Sequence, residues 1–209
     1  FPMGFKLPWR LLIPPGSVDT VIGTDSGLEL ARKTGATVTV STTEEAPVTL
    51  SDKIVKIEGT VPEQEEALTC IVAELFEFQG TAEDEDGLCV LVMPSSAVGA
   101  IIGAKGSKIS EIMADSGADI DVGRECIIGM PDNPVVLRGQ PKQIVRAAVL
   151  CNAVLQELAE KGRIQPEDFC YIPGRTPRLT RGSLSSFPAR FLVEKDFAGF
   201  LIGKGGDKI

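Results

Sequence analysis

Six apolar residues, Leu88–Met93, run without a break and stop at Pro94. A short apolar run closed by proline predicts a buried strand. The rhythm then changes. Ala97 to Ile102 predicts a short helix, capped by Ser95 or Ser96, and a turn bracketed by Gly103 and Gly106 follows. Ile109, Ile112 and Met113 recur at helical spacing and predict a second helix, about Ser107 to Ser116, with Gly117 as its C-terminal cap. Asp119–Val122 alternates polar and apolar, the pattern of a half-buried strand. A loop containing Gly123, Gly129, Pro131, Asp132 and Pro134 leads into a third strand, Val135–Gly139. Pro141 opens a long helix to about Lys161, with Ile144, Ala148, Cys151 and Leu155 on one face. The predicted order is β-α-α-β-β-α, an α+β unit with a three-stranded antiparallel sheet packed on three helices.

The pattern occurs more than once. Shifted by 80 positions, Pro14, Val18 and Ile22-Gly23 fall on Pro94, Val98 and Ile102-Gly103. The offset becomes 82 where Thr34-Gly35-Ala36 meets Ser116-Gly117-Ala118, and returns to 80 at Gly59 and Gly139. The first copy is therefore expected to have a helix two residues shorter and a later loop two residues longer. A third copy begins near Phe191, where "FAGFLIGKGGDKI" matches "AVGAIIGAKGSKI", and the sequence ends at Ile209. The expected organisation is a divergent first domain over 8–78, an acidic linker over 79–87, a second domain over 88–162, a Pro/Gly/Arg linker over 163–188, and the truncated start of a third domain over 189–209.

Composition narrows the chemistry. The sequence has no histidine, and its five cysteines include no CxxC pair, so neither a zinc site nor the commonest general base is expected. No catalytic set is apparent, and the expectation is a non-enzyme without cofactor or metal. No apolar run is long enough to span a membrane. The odd cysteine count points to a reducing compartment, nucleus or cytoplasm. The formal charge of −8 argues against tight, non-specific binding to nucleic acid. That charge is uneven: residues 9–78 hold 5 basic and 12 acidic groups, whereas residues 87–162 hold 7 and 8.

The segment "VGAIIGAKGSKISEIMADSGADIDV" carries an I-I-G-x-x-G turn, an I-x-x-I helix and an S-G-A lead into a strand. In this order of elements it resembles the type I KH domain, and three spaced copies resemble the triple-KH poly(C)-binding and Nova-like families. The resemblance implies tandem type I KH domains that bind single-stranded RNA in post-transcriptional regulation, with single-stranded DNA as an alternative ligand. Such a loop clamps about four backbone nucleotides. The implied contacts are Gly103, Ala104, Lys105, Gly106, Ser107 and Lys108 for phosphate. Val98, Gly99, Ala100 and Ile102 on one side, with Ile109 and Ile120 on the other, form the bed for the bases. Arg124 at the loop edge is a candidate reader, as is Arg138, whose bland alternative is a solvated surface arginine. In the third copy Gly203, Lys204, Gly205 and Gly206 match the loop. The bland alternative for Ile102 and Ile109 is ordinary core. The "GAKGSK" spacing is not that of a Walker A loop.

The copies also depart from the pattern. In "VIGTDSGLELARKTGA", Ser26 replaces the second glycine, Gly27 serves only with a longer turn, and Asp25 stands at the tip in place of lysine. The first copy is expected to have lost RNA binding and to serve packing or a protein partner. A scaffold of degenerate KH folds is the competing function. Poly(C)-binding relatives place an arginine where this chain has Asp119, so a C-rich preference does not carry over.

Overall fold

A computed structural model describes residues 7–25, 27–82 and 84–171. The third-copy motif at Gly203–Gly206 and the expected loose packing of 190–209 lie outside these residues, as does the linker beyond Tyr171. The first half contains β1 (Trp9–Ile13), α1 (Val18–Val21), α2 (Leu28–Thr34), β2 (Thr37–Val40), β3 (Lys53–Glu58) and α3 (Val61–Gln79). The second contains β4 (Gly87–Pro94), α4 (Ser95–Ile102), α5 (Ser107–Ser116), β5 (Asp119–Val122), β6 (Asp132–Gly139) and α6 (Pro141–Glu160). The chain is α+β, with an antiparallel sheet and helices.

All six strands form one sheet in the order β2-β3-β1-β4-β6-β5. The halves meet where β1 pairs antiparallel with β4 through Leu11↔Leu91 and Leu12↔Val90. The register within each half follows burial. Leu11, Val55, Leu91 and Val135 sit across adjacent strands and all enter the same core, so a one-residue slip would expose the whole row. The long helices start where local chemistry dictates. Thr60 and Glu63 form a reciprocal capping box before α3, while before α6 Gln143 Oε1 accepts from Gln140 N–H at 2.8 Å and Pro141 sits in the first turn. Leu68, Ile71 and Leu75 of α3 and Ala148, Cys151 and Leu155 of α6 share one buried cluster, and the two helices pack on each other. All five cysteines are free, and burial pushes the Cys89 and Cys151 thiols up to about 12, so both pack as hydrophobes.

The other sheet face carries a smaller cluster. Ile54, Val92 and Met130 are buried there under Leu12, Ala46, Leu50, Ile127 and Tyr171. Arg10 alternates with the core residues Trp9 and Leu11, and its guanidinium lies 2.5 Å from the Asp132 carboxylate of the second half. Both side chains are buried, and the Phe169 ring lies 5.1 Å from the guanidinium carbon.

Three sequence expectations are corrected. The fourth helix begins at Ser95, with Pro94 at the N-cap and no side-chain cap, because the Ser95 hydroxyl is bonded elsewhere. The last strand begins at Asp132 and runs through Pro134. The Pro134 carbonyl accepts from Gly123 N–H at 2.8 Å, so its missing N–H lies on the β5 side, past the last pair Val122↔Val135. In the first copy α2 is three residues shorter than α5 and its preceding turn is one longer, which together give the offset of two.

Candidate nucleic-acid interface

The turn between α4 and α5 is built from unusual backbone. Gly103 has φ 73, Lys105 φ 54 and Gly106 φ 83. Lys105 is the sole non-glycine residue with positive φ among the described residues, a conformation that costs a lysine about 1–2 kcal/mol. The two glycines are needed for different reasons. A Cβ on Gly103 would come within 2.7 Å of Lys108 N, so the turn closes on its own following helix there. A Cβ on Gly106 would meet nothing within 4 Å, so that side is open. Gly106 is also the N-cap of α5 and offers no side chain to its first amides, which leaves the helix end ready for an anion. Lys105 is exposed and has no ion-pair partner among the described residues, whereas Lys108 is held by Glu111 at 2.9 Å.

Beside this loop the structure brings most of the expected residues together. Val98, Ala100, Ile102 and Ile109 are half-buried, while Gly99, Ala104 and Ser107 are exposed. Ala100 and Ile109 rest against the core and keep part of their surface free. Ile120 is the exception: at 5% exposure it belongs to the core beneath the trough. Arg124 is exposed just beyond β5. The carboxylates of Asp119 and Asp121 alternate with Ile120 and Val122, so they point to the sheet face away from the helices. Arg138 stands opposite Asp119 and bonds it at 3.4 Å on that same face. A cleft of about 490 Å³ is lined by Gln79, Asp86, Leu88, Asp119 and Arg138, among others, but by none of the loop residues.

One residue with no signal in a helix or strand pattern links α4 to β5. Asn133 accepts from Ser95 Oγ at 2.5 Å and donates to the Gly123 carbonyl at 2.8 Å. It ties the base of α4 to the end of β5.

The corresponding turn of the first half differs chemically. Gly27, not residue 26, is the N-cap of α2 and has φ 91. The Asp25 carboxylate accepts from Gly27 N–H at 3.2 Å and from Glu29 N–H at 2.7 Å. An acidic side chain of the protein itself thus occupies the helix end.

The two glycines of the second turn predict a graded response. Gly103→Ala combines positive φ with a backbone clash and is expected to cost about 2–4 kcal/mol. Gly106→Ala meets only the φ penalty, about 1–2 kcal/mol. Urea midpoints of the two variants check the order; equal losses would remove the distinction.

The KH domain family profile matches residues 88–153. Over 117 residues, 56% of this chain, the sequence is 29% identical to Far upstream element-binding protein 2 of Homo sapiens, and equally to that of Rattus norvegicus. The matched stretch spans 15% of the length of these curated relatives. Among solved structures, a protein of unknown function from Aeropyrum pernix covers 77% of this chain and 96% of its own at 18% identity, with a TM-score of 0.26. A complex of a/eIF2alpha, aDim2p and rRNA from Pyrococcus horikoshii gives 76%, 96%, 17% and 0.26. The α4–turn–α5 geometry lies inside residues 88–153, the stretch that matches the KH domain profile.

Proposed function

We propose that the chain binds single-stranded nucleic acid, RNA foremost, through the Gly103–Gly106 loop and the aliphatic trough beside it. The observation that carries this reading is the loop itself: a lysine held in the left-handed region at the tip, an open glycine behind it and an uncapped helix end. Those features let a phosphodiester approach the backbone closely, and Val98, Ala100, Ile102 and Ile109 offer apolar surface for bases without aromatic stacking. Gly123–Arg124 forms the opposite rim. The first half repeats the same order of elements, and we read the chain as tandem type I KH domains over 8–78 and 88–162, joined by 79–87. The loop motif at Gly203–Gly206, after the 163–188 linker, is then the start of a third domain and a second binding loop. The relatives' name, an element-binding protein, accords with a nucleic-acid ligand. A role in post-transcriptional control follows from RNA as the ligand.

A second reading applies to the first half alone. Asp25 fills its own helix end and repels phosphate, so this half is assigned to packing and protein contact. The test is an amide-shift titration of the whole chain with randomised single-stranded RNA and a matched DNA pool. Shifts are expected at Val98–Ile109 and Gly123–Arg124 and absent at Gly23–Gly27. No shift in the second region overturns the proposal; shifts at the first turn overturn the assignment of the first half.

A further inference from the structure

On the binding reading the loop between β5 and β6, residues 123–131, is the far rim of the trough, and it is held at its base and at its tip by groups that reading does not use. At its base, Ser95 of α4 donates N–H to the Pro131 carbonyl at 3.0 Å, and its hydroxyl lies 3.0 Å from that oxygen. The same hydroxyl reaches Asn133 Oδ1, and Asn133 Nδ2 reaches the Gly123 carbonyl. Asn133 is 5% exposed, and both of its bonds are part-buried. At its tip the anchor comes from the other half of the chain. Thr49 Oγ1 donates to the Ile128 carbonyl at 2.8 Å. A Cβ on Gly129 would come within 2.9 Å of Pro47, which shows how closely the two β–β loops touch.

Resting on the reading above, we propose that Asn133 and, from the first half, Thr49 are positioning residues that fix the far rim of the second half's trough. The first half then serves nucleic-acid binding without touching the ligand: it braces the wall against which bases are selected. A rim held before the ligand arrives removes an ordering cost from binding and narrows which bases fit. Loss of a brace is therefore expected to weaken affinity and flatten base preference together, while the phosphate-binding loop, on the opposite wall, keeps its response.

The test uses the whole chain and the four single-stranded RNA homopolymers as probes. For Asn133→Ala, affinity for the preferred homopolymer is expected to fall about fivefold, the size of one lost part-buried hydrogen bond. Preference among the four should compress, and amide shifts at Gly103–Gly106 on binding should persist. Thr49→Ala, a surface change that leaves the core untouched, is expected to show the same pattern at about twofold. Ser95→Ala should follow Asn133→Ala, and Ser95→Thr, which keeps the hydroxyl, should restore binding. In the free protein, amide exchange across 123–131 should speed up in each weakened variant. Unchanged preference and exchange in both Asn133→Ala and Thr49→Ala overturn the inference while leaving the binding reading intact. A wild-type chain that binds none of the probes overturns both.

Discussion

Ala104→Asp with Lys105→Asp is expected to remove binding of single-stranded RNA by the second half while leaving the fold as stable as before. Both side chains are exposed, and neither belongs to the core cluster. Lys105 occupies the left-handed region, where aspartate is better tolerated than lysine, so the backbone is not strained further. The loss has two sources. Removing Lys105 deletes a charge-assisted contact, and the new carboxylates repel phosphate. The expected cost is on the order of 1.5–3 kcal/mol, at least about tenfold in affinity. The first half offers a local precedent for the geometry of one of these changes. Asp25 precedes its N-cap Gly27 by two residues, and Ala104 precedes its N-cap Gly106 by two. An aspartate at 104 is therefore placed to accept the amides at the start of α5, as Asp25 accepts those of Gly27 and Glu29. Ala104→Asp alone should achieve most of the loss. Fluorescence anisotropy with a labelled RNA pool, alongside thermal melts, checks both statements. Each lost phosphate contact should also lower the salt dependence by about 0.7 in the log–log slope. Full binding by the double variant with an unchanged melt would remove the loop from the interface.

This comparison of two turns in one chain shows where sequence reasoning reached and where it stopped. The ends of α5 and the extent of β5 were legible because glycines and alternation mark them locally. The turn was legible because Gly103 and Gly106 interrupt an apolar helical pattern, whatever the turn's role. Distributed features were not. Nothing in a single strand says that β1 will pair with β4, since a sheet edge accepts any partner with matching faces. The sequence alignment assigns the first offset to a helix two residues shorter, whereas the backbone divides it between a helix three residues shorter and a turn one residue longer that ends on Gly27. Ser95 looked like a cap because serine before a helix usually is one; Asn133, 38 residues away, claims its hydroxyl instead. Asp119 stands where the poly(C)-binding pattern has an arginine, and pleating turns it to the face away from the helices, beside Arg138.

The largest stability effect is expected at the junction, from Arg10→Met. Arg10 and Asp132 are 4% and 3% exposed, and the pair spans from β1 across β4 to β6. Truncating the cation leaves a carboxylate sealed from water with its partner gone, a loss of about 3–5 kcal/mol. The contact of the guanidinium with the Phe169 ring disappears as well. Arg10→Met with Asp132→Leu should recover most of that loss, because burying neither charge avoids the desolvation cost that the intact pair itself carries. That cost is real here: Arg10 Nε is buried without a hydrogen-bond partner among the described residues, so the pair is incompletely satisfied. Urea unfolding of the three chains gives the comparison, with the slope m reporting whether the halves still unfold together. A pair of strands joined by two residue pairs is weak by itself, and the shared α3–α6 core predicts one transition in every variant. A single variant within about 1 kcal/mol of wild type would mean that water reaches Asp132 once Arg10 is gone, and that this core, not the ion pair, holds the junction closed.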